Sequence, residues 1–241
     1  MIRLLVKSKL YLSCRELLHN EKRYVLWLIG VPPAEIKKYP EIYHRIKLCK
    51  EKRLAMKDTG TQKLADTPWK FRDTLNPNRY IALPMVSSER RKYIPMACFD
   101  NATIPTNQVQ IIPNATLYHF GILESNVHMA WMRTVAGRLK SDYRYSKDIV
   151  YNNFPWPEPT DQQRQKIEQT AQAILDARAL YPDSSLADLY DETLMPVELR
   201  KAHKANDRAV MEAYGMWGKV HSEAECVAWL FKMYQELTEK G

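Results

Sequence analysis

Three prolines at alternate positions, Pro155, Pro157 and Pro159, constrain this chain more than any other feature. Each fixes φ and removes a backbone donor, so residues 152–159 (NNFPWPEP) cannot continue a helix and read as an extended, rigid exit. The composition changes across it. Residues 161–241 carry 10 Lys/Arg against 14 Asp/Glu, a net charge of −4, whereas residues 1–160 carry 26 against 14, a net of +12. The pattern predicts two domains, 1–157 and 158–241, the first basic and the second acidic. A basic globular domain suits a polyanion partner. A merely soluble basic surface is the plainer reading, and charge alone does not separate the two.

The stretch leading into the prolines reads as strand, helix and polar turn. Residues 116–122 (TLYHFGI) are rich in β-branched and aromatic side chains, which favours a strand. Ser125 stands where a side-chain oxygen can cap a helix. Val127, Trp131, Val135 and Leu139 then recur at helical spacing, with Ala130 and Met132 beside them. That stripe makes Trp131 a core residue rather than a stacking platform. Arg133, Arg138, Lys140 and Arg144 leave the other side cationic.

Upstream, residues 23–29 (RYVLWLI) form a short apolar run ended by Gly30 and read as a buried strand. Pro32 or Pro33 suits the first turn of a helix, and Pro40 interrupts it. Residues 41–56 read as a helix with Ile42, Ile46 and Cys49 on one side. Arg45, Lys47, Lys50, Lys52, Arg53 and Lys57 occupy the other, as a solvated face or as a row of phosphate contacts. Residues 58–78 are loop-like, with Trp69 and Phe71 tucked beneath. Residues 79–86 (RYIALPMV) and 92–99 (KYIPMACF) are strand-like, and the proline in each argues for edge positions or bulges. The polar segment 87–91 lies between them, and 108–112 is a further strand. The first domain is therefore of the α+β class, with roughly five to seven short strands and two or three helices.

Beyond the prolines, residues 161–181 form an amphipathic helix with Ile167, Ala171, Ile174, Leu175 and Ala179 on one face. Pro182 ends it, and Ser184-Ser185 cap residues 186–190. A second helix over 197–214 stops at Gly215. Ser222-Glu223-Ala224-Glu225 has the form of a capping box and opens a third helix to Glu239. The fold class is thus α+β in the first part, followed by a small all-α helical bundle.

The seven glycines form neither GxGxxG nor a P-loop, and HExxH and GxSxG are absent. His119 and His128 read as packing residues rather than metal ligands. Cys14, Cys49, Cys98 and Cys226 lie far apart, as expected of reduced thiols in the cytoplasm. No apolar run approaches the roughly 20 residues of a membrane span. The opening MIRLLVKSKLYL is too short and too broken by lysine for a secretory leader. Asn76-Pro77-Asn78-Arg79 is only faintly similar to the Asn-Pro-Pro-aromatic loop of amino-methyltransferases, lacking the second proline and the ring. Asn153-Phe154-Pro155-Trp156 departs in the same way. No catalytic residue and no metal ligand is assigned.

Longer patterns carry a resemblance. They are EKRYVLWL at 21–28, SSERRKYIP at 87–95, SNVHMAWMR at 125–133, GRLKSDYRYS at 137–146 and YNNFPWP at 151–157. The helical part adds AILDAR at 173–178, LADLY at 186–190 and KAHKANDRAV at 201–210. Together they resemble the C-terminal portion of the MmeI-like family, in which a nuclease, an adenine-N6 DNA methyltransferase, a target-recognition domain and a helical C-terminal domain are fused. Residues 8–20 fit the family pattern poorly. The resemblance implies a target-recognition domain over 1–157 and the helical domain after it. The family's nuclease, cofactor loop and catalytic Asn-Pro-Pro-Tyr belong to upstream segments, so the chain is expected to be a fragment, a truncated gene or a separately encoded recognition part. S-adenosylmethionine is expected for the full-length parent enzyme only. The implied partners are double-stranded DNA and a methyltransferase core, without a membrane.

For DNA recognition, cations must hold phosphates, and forked or planar groups must read base edges. The phosphate-binding candidates are Lys47, Lys50, Arg53, Arg138, Lys140, Arg144 and Lys147. The resemblance places base reading at Glu89 and Arg91. Two apart on an extended segment, they would share a face, Arg addressing guanine O6 and N7 and Glu accepting from cytosine N4. A surface ion pair at a turn is the simpler alternative. An RNA-binding module and a protein-interaction piece remain as rival functional classes.

Overall fold

The computed structural model describes residues 7–239. Residues 1–6, which hold half of the segment read against a secretory leader, lie outside them, as do 240 and 241. In chain order the elements begin β1 (Lys7–Leu12), α1 (Cys14–His19), β2 (Tyr24–Trp27), α2 (Pro33–Lys37), α3 (Pro40–Leu54) and α4 (Thr59–Lys63). Five short strands follow, β3 (Arg79–Pro84), β4 (Val86–Ser87), β5 (Ala97–Asp100), β6 (Thr103–Pro105) and β7 (Val109–Pro113). Then come α5 (Leu117–Leu123), α6 (Asn126–Val135), β8 (Gly137–Leu139), β9 (Asp142–Arg144) and one π-helical turn, Lys147–Tyr151. After the prolines the elements among the described residues are all helices: α7 (Asp161–Ala179), α8 (Leu186–Leu189), α9 (Val197–Ala213) and α10 (Glu223–Glu239). The α+β character expected of the chain is what the structure has.

The strands form three small sheets, ordered β2-β1-β6, β5-β3-β7 and β4-β9-β8. Three expectations about strands change. β3 is a central strand, not an edge, because Pro84 sits at its last position opposite Val109 and ends the ladder without breaking it. In 92–99 only the residues from Ala97 onward pair, so Pro95 precedes the strand. β2 is an edge strand rather than a buried one, with Tyr24 60% exposed. Residues 58–66, read as loop, form α4 and a 3-10 turn, and Asp58 caps α4 through the Thr61 N–H. Phe71 does tuck in, stacking on Trp27 at 5.5 Å.

The largest correction is α5, where a strand was expected. Tyr118, Phe120, Gly121, Ile122 and Leu123 are all buried, so the segment is covered on every side. A helix satisfies its own backbone groups in such surroundings, whereas an isolated strand cannot. His119 Nδ1 accepts the Thr116 N–H at 3.2 Å and fixes the helix start. Gly121 allows close approach to α7, since a Cβ there would stand 2.6 Å from Ile167 Cγ2. Packing thus overrides strand propensity.

Ser125 caps α6 as expected, accepting the His128 N–H at 3.3 Å. The helix ends early, however. Ala136 is extended, and Gly137 onward turns into the β8–β9 hairpin with Lys140 at φ 56°. Leu139 therefore lies on the surface, 55% exposed, instead of extending the core stripe. The β-branched pair Thr134-Val135, with Gly137 two residues on, weakens the last helical turn, and pairing of β8 with β9, itself paired with β4, supplies alternative hydrogen bonds.

One large apolar core joins the residues before and after the prolines. It includes Leu83, Phe120, Met129 and Trp131 together with Ile167, Ile174, Leu199, Val210 and Leu230. Trp131 is indeed core, its Nε1–H donating to the Val150 carbonyl at 3.0 Å. Phe154 pins the proline segment against His128 with ring centroids 4.6 Å apart. α7 buries Ile167, Ala171 and Ile174 as expected, but Ala179 is exposed. Ser222 caps α10 as expected, its Oγ accepting the Glu225 N–H, while the return bond differs: the Glu225 carboxylate takes the His221 N–H rather than that of Ser222.

A buried polar joint runs through this core. Arg178 of α7 donates to Glu124 Oε1 and to the Met96 carbonyl, each at 2.6 Å. Tyr190 Oη lies 2.8 Å from His203 Nε2, and His203 Nδ1 lies 3.2 Å from the Glu124 carbonyl. Tyr93 donates to Asp207 Oδ2 at 2.6 Å, and the Asn126 N–H donates to Oδ1 at 2.7 Å. Burial raises the carboxyls of Glu124 to about 7 and Asp207 to about 6, outweighing these partners.

Candidate nucleic-acid interface

The sheet β4-β9-β8 brings most of the candidate residues together. β4 runs into a turn closed by the Arg91 N–H, which donates to the Ser88 carbonyl at 3.1 Å. Glu89 and Arg90 occupy the middle of that turn. Glu89 and Arg91 are therefore not on an extended segment and do not share a face through strand alternation. Glu89 is exposed and stands 3.6 Å from Arg138, so the ion pair is with the hairpin and not with Arg91. Arg91 is half-buried. Burial draws its guanidinium pKa down, while Cys14, Asp142 and Asp191 pull it up.

Arg138 faces Tyr143 across the hairpin. Its guanidinium carbon is 3.9 Å from the ring centroid, and Nη1 donates to the Ser141 carbonyl at 2.7 Å. Stacking and a backbone bond hold this long side chain beside Glu89. Arg144 pairs with Gly137 and Val86, alternates with buried Tyr143, and is exposed. Lys140 is exposed in the β8–β9 turn. Lys147 begins the π-helical turn and lies 3.8 Å from Asp148, an exposed pair of little energetic weight. The sheet thus presents a carboxylate acceptor, a guanidinium fork and further cations within a few residues of one turn.

The α3 candidates divide. Ile46 is buried in a small cluster with Leu28 and Ile36, which leaves Lys47 and Lys50 exposed on the outer side. Lys47 Nζ is 4.8 Å from the Tyr43 ring. Arg53 turns inward instead and donates to the carbonyls of Leu64, Thr67 and Lys70 at 2.8, 3.2 and 2.7 Å. Its fork braces the 64–70 loop, which gives it a structural task that helical spacing does not reveal.

Both histidines singled out in the sequence serve packing. His128 is fully buried, which pushes its pKa down to about 3, and its Nε2 lies 3.0 Å from Tyr145 Oη. His119 caps α5. Among the described residues no group of three His, Cys, Asp or Glu is arranged to hold a metal, and no helix is long and apolar enough to cross a membrane. The sequence reading missed Tyr143, the platform under Arg138, and Asp142 and Asp191, which face Arg91. The alternation in SDYRYS, with tyrosine between charged residues, was the available signal for the first of these.

Residues 7–158 match the family model "MmeI, target recognition domain", and residues 159–240 match "MmeI, C-terminal domain". DNA methyltransferase A of Bacillus subtilis (strain 168) is 43% identical over 233 residues, which is 96% of this chain and 26% of that protein. The solved structure of the Type IIL restriction-modification enzyme MmeI in complex with DNA is similar with a TM-score of 0.91 at 42% identity, covering 97% of this chain and 31% of that one. The chain spans about a quarter of the length of the curated relative it matches. By sequence and by fold, the chain belongs to the MmeI family of restriction-modification proteins.

Proposed function

We propose that this chain is the sequence-specific DNA-recognition part of an adenine-N6 DNA methyltransferase of the restriction–modification type. Residues 1–157 would read the duplex and residues 158–241 would form the helical support. The observation that carries the reading is the turn at 88–91 set against the β8–β9 hairpin, with exposed Glu89 beside stacked Arg138. Glu89 accepts from a cytosine amino group and Arg91 donates to guanine O6 and N7. The Glu89–Arg138 pair is exposed and contributes about 0–1 kcal/mol, so exchanging it for a base edge costs little. Lys47, Lys50, Arg138, Lys140, Arg144 and Lys147 hold phosphates; Arg53 contributes to DNA only through the loop it braces.

Methyl transfer needs S-adenosylmethionine and a catalytic loop, which this reading assigns to a methyltransferase core, joined upstream or supplied as a separate subunit. The described residues do not fit the cofactor. The positive-φ glycines Gly30, Gly215 and Gly218 stand singly at turns and build no cradle. The test is selection from a randomised duplex library, with the chain alone and with a methyltransferase core of the family. Wild type should enrich one motif. Arg91→Ala should weaken binding to that motif by roughly 1–3 kcal/mol and relax one base position. Equal loss on every sequence would remove Arg91 from base reading. Absence of any enriched motif, or preference for structured RNA, would overturn the DNA reading itself.

A further inference from the structure

An open cleft of about 580 Å³ lies between the turn that follows β4 and the outer side of α9. The turn contributes Arg90, Arg91 and Lys92, α9 contributes Arg200 and Lys204, and α6 adds Arg133. Three acids also line it, Glu89, Asp191 and Glu192, leaving the lining net positive. Two of the acids are occupied. Glu89 pairs with Arg138, and Asp191 accepts the N–H groups of Thr193 and Leu194 at 2.9 and 3.1 Å. Arg133 is likewise engaged, with Glu223 at 2.8 Å and the Lys92 carbonyl at 3.1 Å.

Arg200 and Lys204 differ from these. Both are exposed, on the side of an acidic helical region that helix spacing gives in common to residues four apart. Among the described residues Arg200 reaches only the Met195 carbonyl, at 3.3 Å, and Lys204 has no ion pair. The helix under them is fixed by buried Leu199, His203, Asn206 and Val210. It is also fixed relative to the turn, because Tyr93 donates to Asp207 and stacks on His203 at 4.0 Å. The two sides of the cleft are thus held in place before any ligand arrives.

We propose that this cleft takes phosphates of the DNA strand passing the 88–91 turn, with Arg200 and Lys204 as phosphate-binding residues supplied by the helical part. The inference rests on the DNA-recognition reading and extends it to a region whose net charge is negative. Charge complementarity and continuity with the turn of Glu89 and Arg91 select this occupant.

The test measures affinity of the full chain for a fluorescent duplex across a salt series. Each phosphate contact contributes about 0.9 to the slope of log K against log salt, so Arg200→Ala/Lys204→Ala should lower the slope by about 2. Lys232→Ala, on α10, should leave it unchanged, and the motif enriched from a library should stay the same. An unchanged slope in the double variant overturns the inference while duplex binding by wild type keeps the DNA reading. Failure of wild type to bind any duplex removes both. Circular dichroism checks that the variants fold, and the Arg200→Gln/Lys204→Gln pair is read in place of the alanine pair should the latter unfold.

Discussion

Arg178→Met tests whether the residues before and after the prolines are joined by a buried charged contact. The Arg178 side chain is 9% exposed and Glu124 is fully buried. Methionine keeps much of the apolar stem but removes the donors to Glu124 Oε1, to the Met96 carbonyl and to Tyr190 Oη. Glu124 would retain the Met96 N–H at 3.1 Å and the neutral Tyr190 hydroxyl, with His203 Nε2 4.0 Å from Oε2, but no cation to balance its charge. Removing one member of such a pair costs about 3–5 kcal/mol, because the remaining charge is buried without compensation. The cost depends on pH. Burial lifts Glu124 from 4.5 to about 7, so the folded state keeps a proton that the unfolded chain has released. Its contribution is full below 4.5 and is lost as pH rises through about 7. Without Arg178 the carboxyl rises further, and the penalty of ionising it grows. Urea unfolding followed by tryptophan fluorescence should therefore give a loss of about 3–5 kcal/mol near pH 8 and a smaller one of about 1.5–3 kcal/mol near pH 5, where Glu124 is protonated and the guanidinium's bonds go to uncharged acceptors. Glu124→Gln in the same chain should recover most of the loss near pH 8. A loss below about 1 kcal/mol near pH 8, or equal losses at both values, would refute the buried-charge argument.

Two further outcomes follow from the core. His128 is held near 3 by burial against an ordinary 6.5, so its stabilising contribution is present above 6.5 and is lost as pH falls towards 3. His128→Gln should flatten the acid limb of a plot of Tm against pH, and an unaltered limb would mean that His128 is not buried and neutral. Gly121→Ala would stabilise an open helix by about 1 kcal/mol. Here the added Cβ meets Ile167 Cγ2 at 2.6 Å and Ala171 Cβ at 3.2 Å, so an overpacking cost of about 1–3 kcal/mol offsets that gain and a net loss of up to about 2 kcal/mol is expected. A rise in Tm would show that α5 and α7 are not apposed this closely.

What could be read from the chain alone was local. Ser125, Ser185 and Gly215 marked helix ends because a cap or a left-handed stop acts within a few residues. α7, α9 and α10 were legible because one-sided apolar spacing records a helix lying on a core. The candidate cations were legible as residue types, and the Glu-x-Arg pair through longer family patterns. Their partners were not. Arg53 binds carbonyls 11 to 17 residues away, and Glu89 meets Arg138 only because β9 folds back on β4. α5 was misread because its strand-like composition was judged without the helices that cover it, and Leu139 because the turn at Gly137 is chosen by pairing with a distant strand. The sequence by itself determined the helices of the second part, the class of the first and the chemistry available to a site. Tertiary structure decided which cations remain free, which are spent on the fold, and that Arg200 and Lys204 stand across a cleft from Arg91. Those outcomes depend on contacts between residues far apart in the chain, and no local propensity encodes them.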